Sequence, residues 1–350
     1  TCALPIFQFI LIRILWPLAS TRTSNFSFRL SLSIWLASVC IMIGAALALP
    51  TGNRFAVALA PALLALILRF QHKGPILGCR PKKIENAFFV FLFVACTFSL
   101  LWSLRIPLFQ YDGLLYHLPS AALAWQEQTV FFTSAHPQIG SNPVLAELLK
   151  TWSFSIAGSD ILVCIQQLPL LAALATLAVS LGIKWKARGI FPFFTGTALF
   201  LAPKAFEQGL APNIDLVAAT TGAFCAIFLA EKRWLPSIMA LCIFGQIKYT
   251  TLLPALLGAI FLVLNLIRNR KGKEALLSAL LFIALGGLWE WKNLLAYGNP
   301  TRPYQVLVSG NSFLHRMAPN WFVSERDPQK WEGYYLNGIE KAAGGEKLLR

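Results

Sequence analysis

The sequence predicts an all-α protein that crosses a membrane many times. Hydrophobic residues make up 57% of its 350 residues and charged residues only 13%, whereas charged residues supply about a quarter of a soluble domain. Apolar runs long enough to cross about 30 Å of hydrocarbon recur along the chain, and a transmembrane barrel would need short alternating segments instead. Together these features predict about nine or ten transmembrane helices, with a large outer loop carrying amphipathic interfacial helices.

The formal charge of +15 is explained by where the basic residues lie. They cluster in short connections between apolar runs, which is the distribution expected of cytoplasmic loops that face anionic lipid. No stacking aromatic residues accompany them, so nucleic acid is not an expected partner. The clusters are Arg69, Lys73, Arg80, Lys82 and Lys83; Lys184, Lys186 and Arg188; Lys232 and Arg233; and Arg268, Arg270, Lys271 and Lys273.

The apolar runs divide the chain into three regions. Residues 1–85 hold additional N-terminal spans, residues 86–304 form a membrane core with an outer loop at 105–160, and residues 305–350 form an outer C-terminal segment. The stretch Ala3 to Ala19 is either a first span or the remnant of a signal anchor, since Arg13 and Pro17 interrupt it. The clearer spans are Ser31 to Leu49, Phe55 to Leu68, Asn86 to Leu104, Ile161 to Ile183, Ile190 to Ala202, Leu216 to Ala230 and Leu276 to Trp291.

Between the last two basic clusters, the chain from Trp234 to Ile267 must cross an even number of times if both clusters are cytoplasmic. Two short spans that reverse around Gly245 to Thr250 satisfy this condition. Lys248 is therefore expected at an outer turn, on the same side as the loop 105–160.

Two amphipathic helices are predicted to lie on the membrane surface within that loop. In the first, Pro119 occupies the first turn, and in the second, Asn142 caps the helix. The charged Glu147 and Lys150 are expected to point away from the apolar face of the second helix. The predicted apolar faces are Leu118, Ala122 and Trp125 in the first helix, and Leu145, Leu148, Leu149 and Trp152 in the second.

Cysteines and chain ends add little about function. The seven cysteines are scattered, mostly in apolar runs, with no spacing typical of metal ligands. The chain begins at Thr1 without a methionine and stops at Arg350 in a polar stretch, so it is expected to be a fragment of a longer protein.

Topology brings polar residues from separate loops to one membrane surface. Ionisable groups near membrane depth cost about 2 to 3 kcal/mol each unless they are paired or functional. Carboxylates beside several cations suggest a site for an acidic, lipid-linked ligand. Each residue also has a purely structural interpretation. The aspartates can cap helices, the histidine can be an interfacial side chain, and the cations can be anchors that extend to the interface. The residues are Asp112, His117, Asp215, Lys248, Lys292 and Arg302.

Four motifs, taken in order, resemble those of the C-type integral-membrane glycosyltransferases. They are YDGLLYHLP (111–119), NIDL (213–216), GQIKYTTLLPALL (245–257) and WKNLLAYGNPTRPY (291–304). That superfamily includes protein O-mannosyltransferases, lipid A aminoarabinose transferases and bacterial relatives of the core galacturonosyltransferases. The resemblance implies inverting transfer of a sugar from a polyprenyl-phosphate-linked donor to a glycolipid, polysaccharide or protein acceptor, on the outer side of the inner membrane.

The resemblance also implies a role for each residue. Asp112 would deprotonate or orient the acceptor hydroxyl, and Asp215 would position the acceptor or contact a divalent metal, with no metal site otherwise indicated. Lys248, and more weakly Lys292 and Arg302, would contact the donor phosphate, while Tyr116 and His117 would shape the acceptor loop. The sequence departs from the family pattern at Lys292-Asn293 and at Thr301-Arg302, which affects the expected phosphate geometry and acceptor.

Two other classes of function are consistent with the sequence. A transporter or flippase for a lipid-linked or anionic solute would place ionisable groups near span midpoints and discontinuous helices in matched halves. The polar residues here gather at one surface instead, which favours the enzyme. An assembly subunit without activity is the third alternative.

Overall fold

The computed structural model describes residues 25–71, 83–103, 116–132, 139, 142–157, 163 and 166–297. Within these ranges the chain is 84% helical, with 13 α-helices and no strand, which confirms the all-α prediction. The helices are α1 (Phe26–Ala48), α2 (Arg54–Gln71), α3 (Lys83–Ser103), α4 (Leu118–Gln126), α5 (Leu148–Ala157), α6 (Leu168–Lys184), α7 (Phe191–Leu201), α8 (Pro203–Gly209), α9 (Asp215–Ala230), α10 (Trp234–Gly245), α11 (Tyr249–Arg268), α12 (Gly272–Leu281) and α13 (Leu288–Tyr297).

The chain divides into two compact units. Unit 1 comprises Thr1–Val130 and Pro143–Gly286, and unit 2 comprises Phe131–Asn142 and Gly287–Arg350. Nearly all the helices described belong to unit 1, whereas α13 belongs to unit 2. The predicted first span, Ala3 to Ala19, lies outside the described residues.

Three of the described helical segments are long and apolar enough to cross a membrane, or up to four if a bent pair is counted as one span. They are Phe26–Thr51, Ile84–Leu101 and Tyr249–Arg268. The first is 78% buried within the protein, whereas the other two are only 22% and 28% buried. The last two segments thus expose a long apolar surface.

α1 is the central helix of unit 1. Asn25 caps it, since its side-chain oxygen accepts a hydrogen bond from the Phe28 backbone N–H at 2.8 Å. Its polar side chains bond to neighbouring helices: Ser31 donates to the carbonyl of Ala173 at 2.7 Å, and the Trp35 indole donates to Thr221 Oγ1 at 3.1 Å. α1 packs mainly against α2, α5 and α6, so Ser31 and Trp35 find their partners inside the helical core, whereas the Ser33 hydroxyl is buried without one.

The helices of unit 1 define two opposite ends. At one end, Lys184 at the end of α6 pairs with Glu231 after α9 at 3.5 Å, and Asn25 donates to the carbonyl of Ser180 at 3.4 Å. At the other end, Asp215 at the start of α9 pairs with Lys248 just before α11. α9 and α11 therefore both run from this second end toward the basic turns. We call the first the basic end and the second the site end.

The reversal predicted between Trp234 and Ile267 is confirmed. α10 ends at Gly245, α11 begins at Tyr249, and the two helices pack against each other. Lys248 occupies the turn between them, as expected. The span predicted from Leu276 to Trp291 is not one continuous α-helix, because a π turn at Phe282–Gly286 separates α12 from α13.

The predicted surface position is wrong for the second loop helix, and the first loop helix buries a different face from the one expected. α4 buries Ser120, Ala121 and Ala124 and leaves the expected face only partly covered, because its small residues allow close packing against α5. α5 begins through a 3-10 turn at Leu145–Glu147 with Val144 at its cap, so Asn142 does not cap it. α5 is buried on nearly all sides, and Glu147 and Lys150 do not point to solvent: each side chain is 3% exposed.

Candidate functional site

An ion pair between Asp215 and Lys248 joins two of the predicted site residues. Asp215 is the first residue of α9, where a negative charge is stabilised by the helix dipole, while Lys248 precedes the first turn of α11. A lysine at that position opposes the dipole of its own helix, and the nearby carboxylate compensates for it. The side chains of Lys248 and Asp215 are 35% and 47% exposed, so a ligand arriving from outside can reach both charges.

Hydrogen bonds hold both members of the pair in place. The Gln167 side-chain oxygen accepts from the Leu216 backbone N–H at 2.9 Å, which fixes the start of α9. The Lys248 backbone N–H donates to Thr251 Oγ1 at 3.2 Å, which fixes the start of α11. The expected alternative, in which Asp215 caps a helix beginning at Leu216, is not what the structure shows, since Ile214 occupies the cap and Asp215 pairs with Lys248.

A second, buried group consists of His117, Glu147 and Lys150. One oxygen of the Glu147 carboxylate contacts His117 Nδ1 and the other accepts from the Lys150 ammonium. His117 and Glu147 lie 30 residues apart, so their contact ties the start of α4 to the start of α5. All three side chains are at most 7% exposed.

The environment of this group shifts the pKa of two members. Burial alone would raise the pKa of the Glu147 carboxyl, but the charges of His117 and Lys150 and their hydrogen bonds outweigh it and lower the pKa below its ordinary value. For Lys150, burial lowers the pKa of the ammonium, and the attraction of Glu147 offsets this only in part. Glu147 is therefore held as a carboxylate at neutral pH.

The two groups lie in the same region of unit 1. Lys150, Gln166, Gln167 and Asn213 face one another, together with five apolar or small residues, around a space too narrow for a water molecule. Asn213 lies two residues before Asp215, and its side-chain amide donates to Gln208 at 3.1 Å. Its side-chain oxygen is buried without a hydrogen-bond partner. Polar residues therefore connect the neighbourhood of His117 with that of Asp215.

The remaining predicted residues are placed as follows. The ring of Tyr116 lies 4.2 Å from that of His117, measured between centroids. Lys292 belongs to unit 2, where its ammonium lies 4.7 Å from the centroid of the Trp289 ring. Asp112 and Arg302 lie outside the described residues. Within the described part of the chain, no three His, Cys, Asp or Glu side chains converge as a metal ion requires.

Glu147 and Lys150 are the functional candidates that the sequence analysis misplaced. Their spacing of three residues is typical of an ion pair on one helix face. The signal available was that both charges interrupt the apolar run LAELLKTW (145–152), yet the surface-helix interpretation assigned them to solvent.

No protein family model matches this chain, and no match was found among curated proteins or solved structures. The resemblance to the C-type glycosyltransferases therefore stays a prediction based on the motifs.

Proposed function

We propose that the protein is a polytopic membrane protein whose site end and basic end lie on opposite faces of the bilayer. The long exposed apolar surfaces of α3 and α11 support this, because such surfaces are unfavourable in water. The shorter apolar helices α6, α7, α9 and α10 would complete the spans. The site end would face the periplasm or exterior of the inner membrane, because basic connections concentrate on the cytoplasmic side.

We further propose that it transfers a sugar from a polyprenyl-phosphate-linked donor to an acceptor hydroxyl at the site end. The observation that supports this most is the ion pair between Asp215 and Lys248. Two motifs separated by more than thirty residues place a carboxylate and a cation together, both partly exposed, at the end opposite the basic turns. A cation there can bind the phosphate of a donor whose lipid tail lies in the bilayer.

In the proposed reaction, the acceptor oxygen attacks the anomeric carbon from the face opposite the phosphate. The Asp112 carboxylate takes the hydroxyl proton or orients the hydroxyl. The bond between the anomeric carbon and the phosphate oxygen breaks, and its electron pair leaves with the polyprenyl phosphate. Lys248 offsets the charge that develops on that oxygen, Asp215 holds Lys248 and positions the acceptor, and Lys292 and Arg302 are further candidates for the phosphate.

The test is transfer of radiolabelled sugar from polyprenyl-phosphate donors by the purified protein. Asp112→Asn is expected to lower the rate by a factor of about 10² to 10⁴, and Lys248→Gln by about 10² to 10³. The matched control is Lys204→Gln, which removes an exposed lysine that is also paired with a carboxylate and should leave the rate unchanged. Full activity of Asp112→Asn at equal expression would show that Asp112 is not the reacting group, and no transfer by the wild type from any donor tested would refute the function.

A transporter for a lipid-linked or anionic solute is the second candidate. The buried group of His117, Glu147 and Lys150 favours it, since buried ionisable residues in membrane proteins often mark transport paths. The π turn at Phe282–Gly286 is also a feature that recurs at functional sites. Movement of labelled lipid-linked sugar across proteoliposomes without any chemical transfer would favour this candidate over the enzyme.

A further inference from the structure

Three helices of unit 1 end at the basic end with the same hydrogen-bond pattern. In α6, the N–H of Lys186 donates to the carbonyl of Ile183 at 3.1 Å and that of Ala187 to Gly182 at 3.0 Å. The ends of α9 and α11 repeat this pair of bonds. The corresponding bonds are Lys232 to Leu229 at 3.0 Å, Arg233 to Phe228 at 3.0 Å, Arg270 to Ile267 at 2.9 Å and Lys271 to Leu266 at 2.9 Å. This pair of hydrogen bonds defines the Schellman motif.

The motif requires one residue in the left-handed conformation, a position that glycine or asparagine usually occupies. Here the position holds Lys186, Lys232 and Arg270, with φ angles of 58°, 56° and 57°. A side chain with a Cβ is disfavoured in this conformation. Glycine would therefore end each helix more stably, and helix termination alone does not explain a cation at all three positions.

One further residue provides an internal comparison. Among the described residues, four that are not glycine have a positive φ, and the fourth is Gln128, which follows α4. Gln128 lies beside Gly52, in the turn after α1, and is therefore at the site end. The strained position carries a neutral residue at the site end and a cation at all three places at the basic end.

The surroundings of these cations combine positive charge with exposed apolar side chains. Lys186, Lys232 and Arg270 are all exposed, and the ion pair between Lys184 and Glu231 joins the first two turns. Trp185 and Phe191, on either side of Lys186, are 75% and 63% exposed. Exposed aromatic residues beside lysine are typical of the boundary between lipid tails and headgroups.

We propose that Lys186, Lys232 and Arg270 form a binding surface for the headgroups of anionic phospholipids at the basic end. A cation at the C-terminus of a helix is favoured by the helix dipole and can still extend outward. Because the three turns belong to separate helices at one end, each can present its cation to a singly charged phosphate of its own. The surface does not depend on sugar transfer at the opposite end.

The test compares binding of phosphatidylglycerol and phosphatidylcholine by native mass spectrometry of the full chain released from detergent micelles. Three variants separate charge from backbone strain. K186G/K232G/R270G removes both, K186Q/K232Q/R270Q removes only the charge, and Q128G relieves the strain at the site end without changing any charge. Apparent melting temperatures of all variants are measured in phosphatidylcholine alone. A parallel lipid-binding measurement includes inorganic phosphate as a competitor.

The wild type is expected to prefer phosphatidylglycerol, with about fivefold weaker binding for each cation removed from a headgroup it contacts. Both triple variants should lose the preference, while Q128G should keep it. The glycine triple variant should melt above the wild type in phosphatidylcholine, and the glutamine triple variant should not. The proposal is overturned if the glutamine triple variant still prefers phosphatidylglycerol, or if Q128G loses that preference. It is also overturned if inorganic phosphate, at a concentration equal to that of the lipid, abolishes phosphatidylglycerol binding.

Discussion

Replacing Glu147 by glutamine is predicted to destabilise the protein strongly. The substitution keeps the shape of the side chain and removes the charge that compensates Lys150, whose side chain is 3% exposed. Removing one partner of a buried ion pair costs about 3 to 5 kcal/mol, because the other charge is left uncompensated. At about 2 to 4 °C per kcal/mol, the value for domains of 150 to 250 residues, the melting temperature of this larger protein should fall by at most roughly 6 to 20 °C.

The apparent melting temperature of purified variants in nanodiscs measures this effect. The chain supplies a matched control, because Lys204 and Glu207 form a pair with the same three-residue spacing and side chains 78% and 44% exposed. Glu207→Gln should change stability by less than about 1 kcal/mol. A second variant, Glu147→Gln with Lys150→Met, should recover much of the loss, since a buried pair can often be replaced by apolar groups without penalty. If Glu147→Gln melts like Glu207→Gln, the carboxylate of Glu147 does not sit in a buried ionic network.

Three further predictions concern the pH dependence of Glu147, the close approach at Gly44 and the start of α9. Although burial opposes it, the charges of His117 and Lys150 lower the pKa of Glu147 in the folded protein. The stability that the Glu147 carboxylate contributes should therefore be complete above the unfolded-state pKa of about 4.3 and should disappear as the pH falls through the lower folded-state pKa. Melting temperatures of the wild type and Glu147→Gln from pH 3 to pH 7 check this, and parallel curves would contradict it. Gly44→Ala should lose about 1 to 3 kcal/mol, because a Cβ there would lie 2.7 Å from the Pro61 nitrogen, whereas Gly272→Ala, with nothing within 4 Å, should not; equal melting temperatures would refute the close approach. Gln167→Leu should lose about 1 to 3 kcal/mol by leaving the Leu216 N–H unpaired, and faster hydrogen exchange at that amide is the specific readout that a mere packing defect elsewhere would not produce.

Periodicity and length were sufficient to predict the helices that expose an apolar surface. α3 and α11 are continuous apolar runs, so a sequence pattern locates them directly. The reversal at Gly245 to Thr250 was also predictable, because basic clusters on the same side of a membrane require an even number of crossings between them. The same reasoning placed Asp215 and Lys248 at one membrane surface without predicting a contact, and in the structure their side chains form an ion pair.

The loop helices could not be predicted in the same way. α4 and α5 were expected on the membrane surface because apolar residues recur at helical spacing along both, with Glu147 and Lys150 pointing away from the apolar face of the second. In the structure those charges neutralise one another: Glu147 is shared between His117 and Lys150. That contact joins residues 30 positions apart, and a one-dimensional pattern of hydrophobicity contains no information about such a partner. Burial of a charge depends on tertiary pairing, which is why the surface interpretation was wrong here.

The site end and the basic end are predicted to lie on opposite faces of a membrane, and cysteine labelling measures this directly. In a variant without the native cysteines, Asn53→Cys reports on the site end and Gly272→Cys on the basic end; both positions are exposed. A membrane-impermeant maleimide added to intact cells is expected to label position 53, and to label position 272 only after the membrane is permeabilised. Labelling of both positions from the same side would contradict the account.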